Sequence, residues 1–138
     1  MGKTVRDAMT SNPCTIDAGK DVVYAAKMMK DEDVGVAPIV EGDQLVGVLT
    51  DRDIAIKVVA EGKNPKTTNV RDIASTNIVT VDPQQALDEA LRLMAKHQVR
   101  RLPVVEEDGV LAGMLAQADV AQAGHDTLTG EVVQRISQ

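Results

Sequence analysis

Pro38-Ile39-Val40-Glu41-Gly42-Asp43-Gln44-Leu45-Val46-Gly47-Val48-Leu49 is answered later in the chain by Pro103-Val104-Val105-Glu106-Glu107-Asp108-Gly109-Val110-Leu111-Ala112-Gly113-Met114-Leu115. Each stretch consists of two short apolar runs around an acidic, glycine-containing turn, which is the pattern of a β-hairpin. The correspondence extends outward from there. Val5-Arg6-Asp7 returns as Val70-Arg71-Asp72, and Thr15-Ile16-Asp17 returns as Thr80-Val81-Asp82. The spacing Val22, Ala25, Ala26, Met29 returns as Leu87, Ala90, Leu91, Met94. The offset is 65 residues before the acidic turn (Pro38 to Pro103) and 66 after it (Gly47 to Gly113), so one residue is inserted in the second turn.

The apolar residues of Lys20–Asp31 fall at helical spacing and put one stripe on a helix face. In the second copy Asp82 is a capping residue, Pro83 suits the first helical position, and Gln85 can complete a capping box. Strands are expected at Val36–Val40, Leu45–Leu49, Arg101–Val105 and Val110–Leu115. Helices follow at Asp51–Ala60 and Gln117–Ala123, and Glu131–Ile136 reads as a last short helix. The fold class is therefore α/β (α+β): two βαββα repeats, related by a pseudo-two-fold and packed through their sheets. Residues 1–62 form the first repeat, 63–69 the linker, 70–124 the second repeat and 125–138 the tail. Glu61-Gly62-Lys63-Asn64-Pro65-Lys66 carries the breakers and is too short for the copies to move independently.

At 138 residues the chain suits one compact domain with a useful core. Tyr24 is the sole aromatic, so the core must be aliphatic and no platform exists for stacking bases of a nucleic acid. The net charge of −6 argues against a polyanionic partner. Cys14 is the only cysteine, and no signal segment or long apolar run appears. These features read as a soluble, cytoplasmic protein with no membrane or nucleic-acid partner. Cys14 has no cationic neighbour in sequence and reads as a small filler, not a reactive thiol. His97 and His125 lack companions at ligand spacing, so no metal is assigned. Asp31-Glu32-Asp33 reads as a solvated helix end.

Gly47-Val48-Leu49-Thr50-Asp51-Arg52-Asp53 places a hydroxyl, a cation and a carboxylate where a strand becomes a helix. Thr50 can donate to a phosphate oxygen and Arg52 adds charge. Asp53 suits two vicinal hydroxyls, so the set fits a ribose-phosphate. Thr50-x-x-Asp53 is equally a capping box that needs no ligand. Arg100 and Arg101 are adjacent cations where a helix gives way to a strand. Alternation along a strand points them in opposite directions, which would give one to each of two clefts; the alternative is that both neutralise the helix C-terminus and form surface ion pairs.

The duplicated βαββα pattern, the proline of the middle strand and Gly47–Asp53 together resemble the tandem cystathionine-β-synthase (CBS) domain family, the Bateman module. The likeness covers the whole chain. Within the family the chain is similar to stand-alone two-repeat members, notably at Thr50-Asp51-Arg52-Asp53-Ile54 and His97-Gln98-Val99-Arg100-Arg101. The resemblance implies adenosine ligands, AMP, ADP or ATP, with NAD or S-adenosylmethionine as further members of the set, and no catalytic cofactor. It implies a first cleft formed by Val48, Thr50, Arg52, Asp53, Asn77, Ile78, Val79, Val99 and Arg100. There Ile78 and Val79 would flank adenine, Asp53 would hold ribose, and Thr50 and Arg100 would meet phosphate.

The second cleft would take Asn12, Pro13, Cys14, Val34, Gly35, Arg101, Met114 and Asp119. Its motif departs from the pattern, because Ala116 replaces the hydroxyl and Ala118 the cation, so weak or absent binding is expected. The family also implies a homodimer and an effector protein whose identity the sequence does not give. No Ser-His or Cys-His set and no phosphate-binding loop ending in Gly-Lys-Ser/Thr is present, so the chain reads as no enzyme. A ligand-free dimerisation scaffold is the alternative.

Overall fold

Two helices of equal length anchor the two halves of the chain, and each is terminated in the same way. The computed structural model describes residues 2–122. Along it run helix α1 (Val5–Ala8), strands β1 (Thr10–Ser11) and β2 (Ile16–Asp17), helix α2 (Val22–Glu32), and strands β3 (Val36–Glu41) and β4 (Gln44–Thr50). Helix α3 (Asp51–Ile54) continues into a π-helical turn, Ala55–Val59. After the linker come α4 (Val70–Ile73), α5 (Leu87–His97), β5 (Arg101–Val105), β6 (Leu111–Ala116) and α6 (Gln117–Gln122). The tail helix expected at Glu131–Ile136, and His125, lie outside the described residues.

Helix α2 buries Val22, Ala25 and Met29, and Asp21 caps it by accepting the Tyr24 N–H at 2.8 Å. Helix α5 buries Leu87, Ala90, Leu91, Met94 and Ala95. The correspondence is imperfect at one place, since Ala26 is exposed where Leu91 is buried. Both helices stop at a residue in the left-handed region, Asp33 at φ 54° and Gln98 at φ 55°. Each stop residue returns its N–H to carbonyls of the last turn.

The start of α5 differs from the expected one. Asp82 and Gln85 do bond reciprocally, with Asp82 N–H donating to Gln85 Oε1 at 3.0 Å, yet the helix begins only at Leu87. The reason is competition for backbone groups. The carbonyls of Pro83 and Gln85 accept from the N–H groups of Arg6 and Val5, each at 2.9 Å, and the Leu87 N–H donates to Lys3 O at 2.9 Å. An incoming segment has taken the bonds that a helix over 83–86 would need.

That segment reveals how the chain is partitioned. The described residues form two compact units, one of Cys14–Ile78 and the other of the residues up to Pro13 together with those from Val79 onward. The unit boundary thus falls inside each copy of the repeat. In the unit of Cys14–Ile78, a sheet of order β2-β3-β4 has β2 parallel to β3 and β3 antiparallel to β4. Ser75, just beyond α4, bridges to Val48 on the far side of β4. In the other unit the order is β1-β6-β5, β1 pairs antiparallel with β6, and Val81 bridges in parallel to Val104.

Two glycines are required at these junctions. A Cβ on Gly47 would stand 2.9 Å from Ser75 O, and one on Gly113 would stand 2.5 Å from Thr10 O. Each unit closes on its own aliphatic core. Ile16, Ile39, Leu49, Val70 and Ile73 belong to one, and Val5, Leu87, Leu91, Leu102 and Leu115 to the other. An exposed ion pair repeats as well: Arg71 of α4 meets Glu41, and Arg6 of α1 meets Glu106 at 3.0 Å. Exposed pairs of this kind contribute little to stability.

Candidate functional site

In the unit of Cys14–Ile78, β4 delivers Val48 and Thr50 to the start of α3. Val48 is fixed by two bonds to Ser75, N–H to O at 3.0 Å and O from N–H at 2.9 Å. Thr76, Asn77 and Ile78 follow directly, so Asn77 and Ile78, two of the residues expected in the first cleft, continue the segment held against Val48. Thr50 caps α3 in both directions. Its Oγ1 accepts from the Asp53 N–H at 3.0 Å, and its own N–H donates to Asp53 Oδ2 at 2.9 Å. The capping box foreseen as the ligand-free alternative is therefore fully formed.

A formed box does not exhaust these groups. The Thr50 hydroxyl accepts but keeps its proton to donate, and a carboxylate has about four acceptor positions. Asp53 is mostly buried, with a side chain 12% exposed, and its Oδ1 lies 3.2 Å from Lys57 Nζ. Lys57 also donates to Ile73 O at 3.0 Å. Arg52 is exposed on the same short helix, and its N–H donates to the neighbouring Asp51 carboxylate at 2.8 Å. Val34 and Gly35 lie in this unit too. Val34 packs on its core, and the Asp51 N–H donates to Gly35 O at 3.0 Å.

Cys14 is exposed on this unit, and its thiol is pushed up from its ordinary value, first by lost solvation and then by its hydrogen bond with Glu32. The raised value keeps the thiol protonated and a poor nucleophile.

The remaining expected residues belong to the other unit. Val79 and Val99 are half-buried against its core. Arg100 is exposed and sits just before β5, so strand alternation does not itself set its direction. Its carbonyl accepts the Gln117 N–H at 2.8 Å, the same bond that Gly35 makes with Asp51. Arg101 opens β5, opposite Ala116 in register. Asn12 is exposed and left-handed at φ 54°, Pro13 and Met114 are half-buried, and Asp119 accepts the Ala116 N–H at 3.1 Å. Half the box survives here, because alanine has no hydroxyl to return the bond.

Sequence reasoning overlooked Lys57 and Ser75. The signal for Lys57 was present as a cation four residues after Asp53 on a helix. Ser75 carried none, because it acts through its backbone. Among the described residues no three His, Cys, Asp or Glu side chains are grouped to hold a metal ion, and no helix is long and apolar enough to cross a membrane.

The family model for the CBS domain matches residues 5–60 and again 70–126. The CBS domain-containing protein YhcV of Bacillus subtilis is 41% identical over 118 residues, covering 86% of this chain and 83% of that protein. Hypoxic response protein 1 of Mycobacterium tuberculosis is 38% identical over 120 residues, with coverage of 86% and 83%. The crystal structure of Hypoxic Response Protein I with two coordinated zinc ions matches with a TM-score of 0.80 at 38% identity, covering 88% of this chain and 98% of that one. That of CBSX2 in complex with AMP matches with a TM-score of 0.78 at 30% identity, covering 88% and 96%. The CBS pair of MJ0100, in complex with 5-methylthioadenosine and S-adenosylmethionine, has a TM-score of 0.76 at 25% identity, covering 89% and 96%. Two matched copies, a mixed fold of two three-stranded sheets and relatives that align over most of both chains agree, and the chain belongs to the CBS-domain family as a tandem pair.

Proposed function

We propose that this CBS pair is a non-catalytic regulatory module that binds an adenine nucleotide of the AMP, ADP or ATP class and reports its occupancy. The observation that carries this reading is the Thr50–Asp53 box. It holds a hydroxyl and a carboxylate in fixed positions while leaving each with unused hydrogen-bonding capacity. Asp53 takes the two ribose hydroxyls, and Thr50, Arg52 and Arg100 take phosphate. Val48, Asn77 and Ile78 meet the base from the unit of Cys14–Ile78, and the family resemblance would add Val79 and Val99. AMP in CBSX2, and methylthioadenosine with S-adenosylmethionine in MJ0100, support an adenosine ligand.

The second set, Asn12, Pro13, Cys14, Val34, Gly35, Arg101, Met114 and Asp119, is the weaker site, since Ala116 and Ala118 remove the hydroxyl and the cation. A bound nucleotide stabilises the folded pair by RT ln(1 + [L]/Kd), about 2.7 kcal/mol at a hundredfold excess over Kd. It shifts signalling only through different affinities for two states.

Calorimetric titration with AMP, ADP, ATP, NAD and S-adenosylmethionine tests this reading. Saturable heat with at least one of the first three, abolished or strongly weakened in Asp53→Ala protein, is the expected result. Absence of heat with all five overturns it.

Homodimerisation is part of the same proposal and has its own support. Tyr24, Ile56 and Val59 are exposed on α2 and the π-helical turn, Val59 by 72%. If the nucleotide titrations are silent while the thermal midpoint rises with protein concentration, the ligand-free scaffold is the better description.

A further inference from the structure

We propose that Lys57 is the positioning residue of the nucleoside site, an inference that rests on the reading of Asp53 as the ribose carboxylate. Lys57 lies in the π-helical turn that follows α3, and turns of this kind concentrate at functional sites. Its ammonium reaches two acceptors at once, Asp53 Oδ1 at 3.2 Å and the main-chain carbonyl of Ile73 at 3.0 Å. A solvated surface lysine paired with one carboxylate would leave no such signature. Here one partner is mostly buried and the other is the last carbonyl of α4.

The arrangement divides the lone pairs of Asp53. The Thr50 N–H occupies one position on Oδ2, and Lys57 occupies one on Oδ1. One position remains on each oxygen, which is the pattern two vicinal hydroxyls need. With only the Thr50 bond, the carboxylate could turn about its terminal torsion, whose energy profile is broad. Lys57 removes that freedom. Through Ile73 it also fixes Asp53 relative to the chain that runs to Ser75, Asn77 and Ile78. In the second copy, the residue four after Asp119 is Ala123. The first motif alone therefore carries the positioning cation, in keeping with its being the stronger site.

The test is calorimetry of adenosine, 2′-deoxyadenosine and ATP on the full chain and on Lys57→Met, Lys57→Arg, Asp53→Asn and the Lys57→Met/Asp53→Asn double variant. Lys57→Met should weaken adenosine and ATP by the same factor, about threefold to fivefold, the scale of a half-exposed ion pair. Lys57→Arg should restore most of the affinity. The Lys57→Met effect should vanish in the Asp53→Asn background and shrink for 2′-deoxyadenosine, which offers one hydroxyl fewer. Should Lys57→Met be unfolded at the assay temperature, Lys57→Gln takes its place. Unchanged affinity, an equal loss in both backgrounds, or a loss confined to ATP overturns the inference. Wild-type protein that binds none of the three ligands overturns the nucleotide reading with it. Wild-type binding with an indifferent Lys57→Met variant overturns the role of Lys57 alone.

Discussion

Asp53 has two tasks. As the third residue of a capping box it stabilises α3, and as a half-satisfied carboxylate it is assigned to ribose. Asp53→Ala removes both and should weaken adenosine, AMP and ATP alike, by at least about ten- to a hundredfold, the cost of losing even one of its two charged hydrogen bonds at about 1.5–3 kcal/mol. Arg100→Ala should spare adenosine and penalise ATP, with the penalty shrinking as salt rises, as titration across ionic strengths will read. Cys14 offers a pH test. Its raised pKa leaves less thiolate at every pH below it, so alkylation at about pH 8.5 should run slower than for a free thiol. Glu32→Gln removes one cause of the rise and should speed the reaction. At this scale the sequence displayed the hydroxyl, carboxylate and guanidinium through their types and spacing. Ser75 stayed hidden because its contribution lies in its N–H and C=O, which every residue but proline possesses.

Elements are set by competition for backbone groups as much as by side-chain pattern. The hairpins were readable because apolar runs around an acidic glycine turn have few alternatives, and both turn glycines are left-handed, Gly42 at φ 62° and Gly109 at φ 91°. The α5 start was misread for a physical reason. Asp82, Pro83 and Gln85 supply every local signal for a helix N-terminus, yet the carbonyls of Pro83 and Gln85 serve α1, which is remote in sequence. Gln98 ends α5 in a conformation that costs a non-glycine residue about 1–2 kcal/mol. Gln98→Gly should therefore raise stability, by up to about 1 kcal/mol after its unfolded-state entropy is counted, as denaturant midpoints will register. Gly113→Ala should do the opposite, because its methyl group would meet Thr10 O at 2.5 Å. A loss of about 1–3 kcal/mol is expected from overpacking of this kind.

At the scale of the molecule, duplication was plain in the sequence but the partition of the chain was not. A repeat of 65 residues suggests units that begin where each copy begins, whereas the compact units change over at Pro13/Cys14 and again at Ile78/Val79. Val5 accordingly shares a core with Leu91 and not with Leu49. In denaturant unfolding, Val5→Ala and Leu91→Ala should be non-additive by about 0.5 kcal/mol or more, while Val5→Ala and Leu49→Ala should add. Additivity in the first pair with coupling in the second would assign α1 to the wrong unit. The partition also gives each motif its own unit, and the second holds Ala116, Ala118 and Ala123 where the first holds Thr50, Arg52 and Lys57. Native mass spectrometry of the protein with AMP, ADP or ATP tests the central claim most directly. One tightly held nucleotide per chain, lost in Asp53→Ala protein and retained in Asp119→Ala protein, is the expected spectrum. No bound nucleotide, or one that survives Asp53→Ala but not Asp119→Ala, would contradict the account.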